Sequence, residues 1–228
     1  MTTTIQLTVP ERFAAQWELP EFLAEPADLY VFPEGFLRSR EDLALALRLS
    51  EPIGGTILTG YRDGEYEKAI VIESGRVTDE YTKCVLTASE QERKRPGDSI
   101  RCLNSRLGKI AVPVCYEVHF PEVCRIMALE NPVLMVNLIG TGMYHPLQYG
   151  QWRAIARARA IENELPVAGC CHFCGEIPLA FAFDSAGEPL LEIQKRRGAF
   201  PVEIDLCGKR PIGYFADRRP ELFGKLAI

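Results

Sequence analysis

The stretches DLYVF (Asp28 to Phe32) and PVLMVNLIG (Pro132 to Gly140) do not alternate apolar with polar residues. They run apolar residue after apolar residue. A strand of that kind has both faces covered, so the chain must supply layers on each side of the sheet that holds it. Helical patterns interleave with the strands throughout. SREDLALALRLSEP carries Ser39 as an N-cap and acids in its first turn, PEVCRIMALEN starts on Pro121, and PLQYGQWRAIARARAIENEL is the longest helix. PERFAAQWELPEFLAE is a helical patch interrupted at Pro20. Strands are expected at TTIQLTV, DLYVF, GGTILTGYRDG, EYEKAIVIESGRV, VTDEYTKCVL, GKIAVPV up to Cys115, PVLMVNLIG, PVAGCCHF, PLAFAFD, PLLEIQ and AFPVEIDL, with a loop running to RPGD after VTDEYTKCVL. Strands outnumber helices, which fits an α/β layered sandwich better than a doubly wound sheet. With no repeat, linker or low-complexity segment, residues 1–228 read as a single domain.

Composition narrows the function. Net charge is −5, and the one basic cluster, ERKRPGDSIR, is broken by Glu92 and Asp98. No large positive field exists to draw nucleic acid or an anionic membrane, so neither is an expected partner. No apolar run reaches the length of a membrane span, and MTTTIQLTVP lacks the pattern of a signal peptide. The eight cysteines read as reduced thiols of a cytoplasmic protein.

Three polar residues stand at the ends of apolar strands: Glu34, Lys83 and Cys115. Strands of a sheet deliver their ends to a common rim, where α/β proteins build sites. The trio has a chemical logic. A thiol is a strong nucleophile once its proton is removed, a carboxylate can remove it, and a lysine can hold the oxyanion that forms on an attacked carbonyl.

Five stretches carry a resemblance to the nitrilase superfamily of carbon–nitrogen hydrolases, in the order that family shows them: DLYVFPEGF, EYTKCVLTASEQERKRPGD, GKIAVPVCYEVHFPEVCR, QWRAIARARAIENELPV and DRRPELFGKL. The resemblance implies a four-layer α-β-β-α sandwich with Glu34 as general base, Lys83 as oxyanion holder and Cys115 as nucleophile. It also implies a second glutamate, which counting back from Pro96 places at Glu90, with Glu92 as the other choice. The Tyr116 backbone N–H would complete the oxyanion site, and Glu117 would be either a pocket residue or a structural acid. A catalytic thiol of this kind is expected to have a depressed pKa. No metal or organic cofactor is implied, and homodimers or larger homo-oligomers are. The segment between Glu34 and Lys83 is short for the family, and ALENPVLMVNL lacks the usual Gly-Ala-Asp before the strand. Both bear on substrate size and pocket shape.

The Cys-Tyr-acid order at Cys115 resembles amide-cleaving or acyl-transferring members, so the expected substrate is a small amide, with a nitrile or acyl transfer as the alternative. A non-catalytic relative that acts by binding or assembly is the reading of a different class, and intact Glu34, Lys83 and Cys115 oppose it. The cluster GCCHFCGE holds Cys171-x-x-Cys174, but no second pair completes a zinc set, and the thiols read as core or pocket wall. Glu122 and Arg125 stand at helical i, i+3 spacing and are expected to pair. Trp152 and Tyr149 read as packing.

Overall fold

The computed structural model describes residues 2–13, 15–207 and 212–224. Its strands, in chain order, are β1 (Thr2–Val9), β2 (Leu29–Val31), β3 (Thr56–Asp63), β4 (Tyr66–Glu73), β5 (Arg76–Thr82), β6 (Leu103–Ser105), β7 (Gly108–Ala111), β8 (Leu134–Ile139), β9 (Val167–Cys171), β10 (Leu179–Phe183), β11 (Pro189–Gln194) and β12 (Gly198–Asp205). They form two six-stranded sheets, ordered β12-β1-β2-β3-β4-β5 and β11-β10-β9-β8-β7-β6. In each sheet the central pairs are parallel (β1 with β2 with β3; β7 with β8 with β9) and the outer pairs antiparallel.

The uninterrupted apolar runs are explained by where successive side chains go. Leu29 and Val31 of β2, with Ala69 and Val71 of β4, enter a core shared with Ile110, Leu134, Val136 and Leu138 of the second sheet. Their neighbours Tyr30, Phe32, Ile70 and Ile72 point the other way. That outer face is covered by helices α1 (Ala15–Phe22) and α2 (Arg40–Ser50), which contribute Ala15, Leu19, Phe22 and Ala46. The second sheet is covered by α4 (Pro121–Ala128) and α5 (Pro146–Asn163), through Val123, Met127, Trp152, Ala156 and Ala160. The result is the α-β-β-α sandwich. Ser39 caps α2 as expected, with Asp42 completing a capping box.

Several local expectations are corrected. Pro20 lies inside α1 and does not interrupt it. Burial of Leu19 and Phe22, the latter ring 6.5 Å from Phe32, holds the helix across the lost hydrogen bond. The strand before Cys115 ends at Ala111, because Pro113 cannot donate to a ladder, and Cys115 opens a 3-10 turn through His119. The presumed loop after β5 contains a short helix, α3 (Ala88–Gln91), and leads into β6. Glu122 and Arg125 do not pair; Arg125 instead donates to the Glu162 carbonyl of α5 at 2.9 Å and lies 5.0 Å from the Phe215 ring. The tail stretch DRRPELFGKL is described through Gly224, and Lys225 and Leu226 lie outside the described residues. Among the described residues no helix is long and apolar enough to cross a membrane.

Candidate active site

Glu34 follows Pro33 at the end of β2, and its loop lies directly on β3. A Cβ at Gly60 would stand 2.3 Å from the Gly35 nitrogen and 2.5 Å from the Glu34 Cα, so only glycine lets the two backbones meet. The Gly60 N–H donates to the Pro33 carbonyl at 3.1 Å. From the second sheet, His172 at the end of β9 bonds through Nε2 to the Glu34 carbonyl at 3.0 Å. Burial pushes the His172 imidazole down to about 4; the Arg12 and Arg38 charges add to this, while the Glu34 and Glu11 carbonyls oppose it.

Lys83 follows β5 and is 1% exposed. Its backbone is held on both sides: its N–H donates to the Glu67 carbonyl at 2.9 Å, and its carbonyl accepts from the Gly97 N–H at 2.8 Å. Gly97 belongs to the Pro-Gly-Asp turn, and a Cβ there would meet the Thr82 carbonyl oxygen at 2.5 Å. That turn therefore seats the lysine. The Lys83 Nζ donates to Glu34 Oε1 at 2.8 Å and to Glu90 Oε1 at 2.7 Å. Burial alone would pull the ammonium down. The charge of Glu34, the Cys115 sulfur and the two carboxylate bonds outweigh it, and the net shift is upward.

Glu90 reaches Lys83 because a capping box fixes it. Thr87 caps α3, and Glu90 Oε2 accepts from the Thr87 N–H at 2.8 Å and hydroxyl at 3.0 Å. Burial works against its charge, but the Lys83 and Thr87 bonds win, and its pKa is lowered. The Thr87-x-x-Glu90 spacing is a sequence signal for this helix that the loop reading passed over. Glu92, the other choice for this position, is exposed.

Cys115 has φ +50, a left-handed backbone rare outside glycine. Three groups fix it there. Asn137 Nδ2, in the middle of β8, donates to the Cys115 and Pro113 carbonyls at 3.1 and 2.6 Å, and its Oδ1 accepts from Trp152 Nε1 at 3.0 Å. Arg159 of α5 donates to the Val118 and His119 carbonyls at 3.0 and 3.2 Å, which anchors the turn from behind. Glu117 Oε2 accepts from the Val114 N–H at 2.8 Å, and its Oε1 takes the Tyr81 hydroxyl and the Cys84 and Val85 N–H groups at 2.8, 2.7 and 3.0 Å. Glu117 is fully buried. Its oxygens join the Lys83 segment to the Cys115 turn. Sequence reasoning missed the anchoring roles of Asn137, Arg159 and the Trp152 indole, because each depends on a tertiary contact. The Tyr116 ring is 37% exposed and packs 5.6 Å from His119 and 5.1 Å from Phe120.

The expected depressed thiol pKa is not what the surroundings of Cys115 favour. Burial pushes the Cys115 thiol up, and the Glu34 carboxylate pushes it further; Lys83 and the Gly140 N–H only partly offset this. Cys171 and Cys174 stand outside this arrangement: Cys171 sulfur accepts from the Leu179 N–H at 3.1 Å, and Cys174 sulfur lies 3.5 Å from the Thr141 hydroxyl.

Glu34, Lys83, Glu90 and Cys115 line one cavity of about 330 Å³, together with Gly140, Thr141, Tyr144 and a ring of cations, Arg12, Arg38, Arg62 and Lys94, around Glu67. Gly140 has to be glycine here, since a Cβ would stand 2.3 Å from Glu34 Oε2. The cavity thus brings together a thiol, a lysine and two carboxylates, groups that can serve nucleophilic chemistry.

The carbon-nitrogen hydrolase family profile matches residues 14–197. The chain belongs to that family, and thereby to a class of enzymes. It is 27% identical over 173 residues to a probable nitrilase of Schizosaccharomyces pombe, covering 71% of this chain and 62% of that protein. It is 26% identical over 232 residues to an (R)-stereoselective amidase of a Pseudomonas species, covering 89% of this chain and 83% of that protein. Its fold superposes on a carbon-nitrogen hydrolase of Helicobacter pylori G27 with a TM-score of 0.88 at 19% identity, over 100% of this chain and 99% of that one.

Proposed function

We propose that this protein hydrolyses the non-peptide C–N bond of a small amide through a thioester on Cys115. The observation that carries the reading is the Lys83 ammonium held between Glu34 and Glu90 in the cavity that Cys115 lines. Cys115 sulfur attacks the amide carbon, the C–S bond forms, and the carbonyl π pair moves to oxygen. Glu34 takes the thiol proton in the same step, which suits a thiol whose pKa is raised by burial. The oxyanion is stabilised by Lys83 Nζ and the Tyr116 N–H. Collapse breaks the C–N bond, and the leaving ammonia or amine takes the proton from Glu34. Water then gives a proton to Glu34 and attacks the thioester; the C–S bond breaks, the acid leaves and the proton returns to sulfur. Glu90 keeps Lys83 charged and aimed throughout.

The amidase relative, matched over most of its length, favours an amide over a nitrile. A nitrile would be attacked by the same groups, and the probable nitrilase relative keeps that second reading open. We further propose that the enzyme works in the cytoplasm, in keeping with eight free thiols, and as a homodimer or larger homo-oligomer. The test is ammonia release from a panel of small primary amides and nitriles. Cys115→Ala should abolish turnover, and Lys83→Gln should lower kcat by about two or more orders of magnitude. Turnover by Cys115→Ala within a few-fold of wild type would overturn the proposal.

A further inference from the structure

The catalytic groups use only the buried end of the cavity. The outer part has four cations, Arg12, Arg38, Arg62 and Lys94, and one carboxylate, Glu67. Glu67 commits its Oε1, which pairs with Arg62 Nε at 2.8 Å and bonds Lys94, while its Oε2 is buried without a hydrogen-bond partner among the described residues. Arg12 and Arg38 form no ion pair among the described residues, although both stand at the cavity wall. Among the described residues, their side-chain hydrogen bonds spend part of each guanidinium on backbone: Arg12 Nη2 donates to the Gly140 carbonyl at 3.0 Å, and Arg38 Nε to the Gly35 carbonyl at 3.0 Å. Each keeps N–H groups to offer.

The two are also held in place. The Arg38 guanidinium lies 3.9 Å from the centroid of the Phe13 ring, and its Nη2 comes within 4.0 Å of the Cβ position of Gly35, beside Arg62 Nη2 at 3.8 Å. Two guanidiniums thus stand close together above a residue that has no side chain of its own, with Glu67 Oε2 nearest to it at 3.5 Å. Burial lowers the Arg38 pKa, the Arg62 and Arg12 charges lower it further, and the Glu67 and Asp42 carboxylates only partly offset them. A bound anion would relieve that crowding. Arg12 is near the chemistry, since the Gly140 whose carbonyl it bonds is the residue against which the Glu34 carboxylate packs.

We infer that Arg12 and Arg38 form a carboxylate subsite, and that the substrate is an amide whose acyl part carries a carboxylate a short distance from the reacting carbon, as in the monoamide of a short dicarboxylic acid. This rests on the amidase reading above and deepens it. The amide end faces Cys115, Lys83 and the two glutamates. The carboxylate end faces the two guanidiniums, whose planar forks suit it.

The experiment compares succinamate with butyramide, a neutral amide of the same length. For the wild-type enzyme, kcat/KM for succinamate should exceed that for butyramide by about 10- to 100-fold or more. Arg38→Met and Arg12→Met should each lower that ratio about tenfold or more, and the double change should bring it close to one. Arg48→Gln, on the exposed side of α2, removes the same charge from the surface and should leave the ratio unmoved. Calorimetric titration of the Cys115→Ala protein with both amides supplies a readout that needs no turnover. Equal binding of the two amides, or a ratio unchanged in the arginine variants, would overturn the subsite while leaving amide hydrolysis intact. Selective binding of succinamate without turnover of any amide by the wild type would instead overturn the hydrolase reading and support the subsite.

Discussion

Acidifying the medium should destabilise this protein through one buried histidine. His172 has no exposed surface and bonds to the Glu34 carbonyl, between the Arg12 and Arg38 charges. Its pKa falls from an ordinary 6.5 to about 4, and burial is the main cause. Because the folded pKa lies below the unfolded one, the unfolded chain binds the extra proton first. The stability due to the neutral imidazole is complete above pH ~6.5 and is lost as pH falls towards the folded value. Those two pKa values correspond to a loss of about 2 kcal/mol at pH 5 and about 3 kcal/mol at pH 4. The assay is urea unfolding at pH 7.5 and pH 5 of wild type and His172→Gln, since glutamine can donate to the same carbonyl and does not titrate. Other groups titrate in this range, among them Glu117, whose pKa is raised by burial and works in the opposite sense. They are common to both proteins and cancel in the difference. The wild type should lose about 2 kcal/mol more than the variant between the two pH values. Equal losses, within about 0.5 kcal/mol, would refute the placement of a neutral histidine beneath Glu34.

Two substitutions test the scaffold of the site. Gly140→Ala places a methyl group 2.3 Å from the present position of Glu34 Oε2, so the carboxylate must move; kcat/KM should fall about 100-fold with little change in melting temperature, as steady-state assays and thermal melts will show. Glu117→Gln turns an amide NH₂ towards either the Val114 N–H or the cluster at Oε1, leaving buried donors unanswered; denaturant unfolding should show a loss of about 1–3 kcal/mol.

What the sequence made legible follows the reach of local signals. The covered strands were visible because apolar residues fill both faces of β2 and β8, and Ser39 announced α2. Glu34, Lys83 and Cys115 stood out as polar residues closing apolar runs, and Glu90 only through the family resemblance, counted back from Pro96. The turn itself has a physical reason in Gly97 packing on Thr82. Other features were not legible because they arise only when distant segments meet. The Cys115 acidity follows first from burial and then from Glu34, Lys83 and Gly140, brought together from three strand ends, and reasoning from the lysine alone points the other way. Arg12, Arg38, Arg62 and Lys94 come from four segments, each a plain surface charge in its own stretch. Pro20 looked like a helix stop because the packing of Leu19 and Phe22 that overrides it is tertiary.

The central claim is that Cys115 carries the acyl group between two half-reactions. Rapid acid quench of the enzyme with a slowly hydrolysed amide, followed by intact-mass and peptide mass spectrometry, tests it most directly. The account predicts a transient mass increase equal to the acyl group, confined to the peptide that contains Cys115 and absent from Cys115→Ala. Acid product forming with no adduct on Cys115 at any quench time, or an adduct on Cys171 or Cys174 that persists in Cys115→Ala, would contradict it.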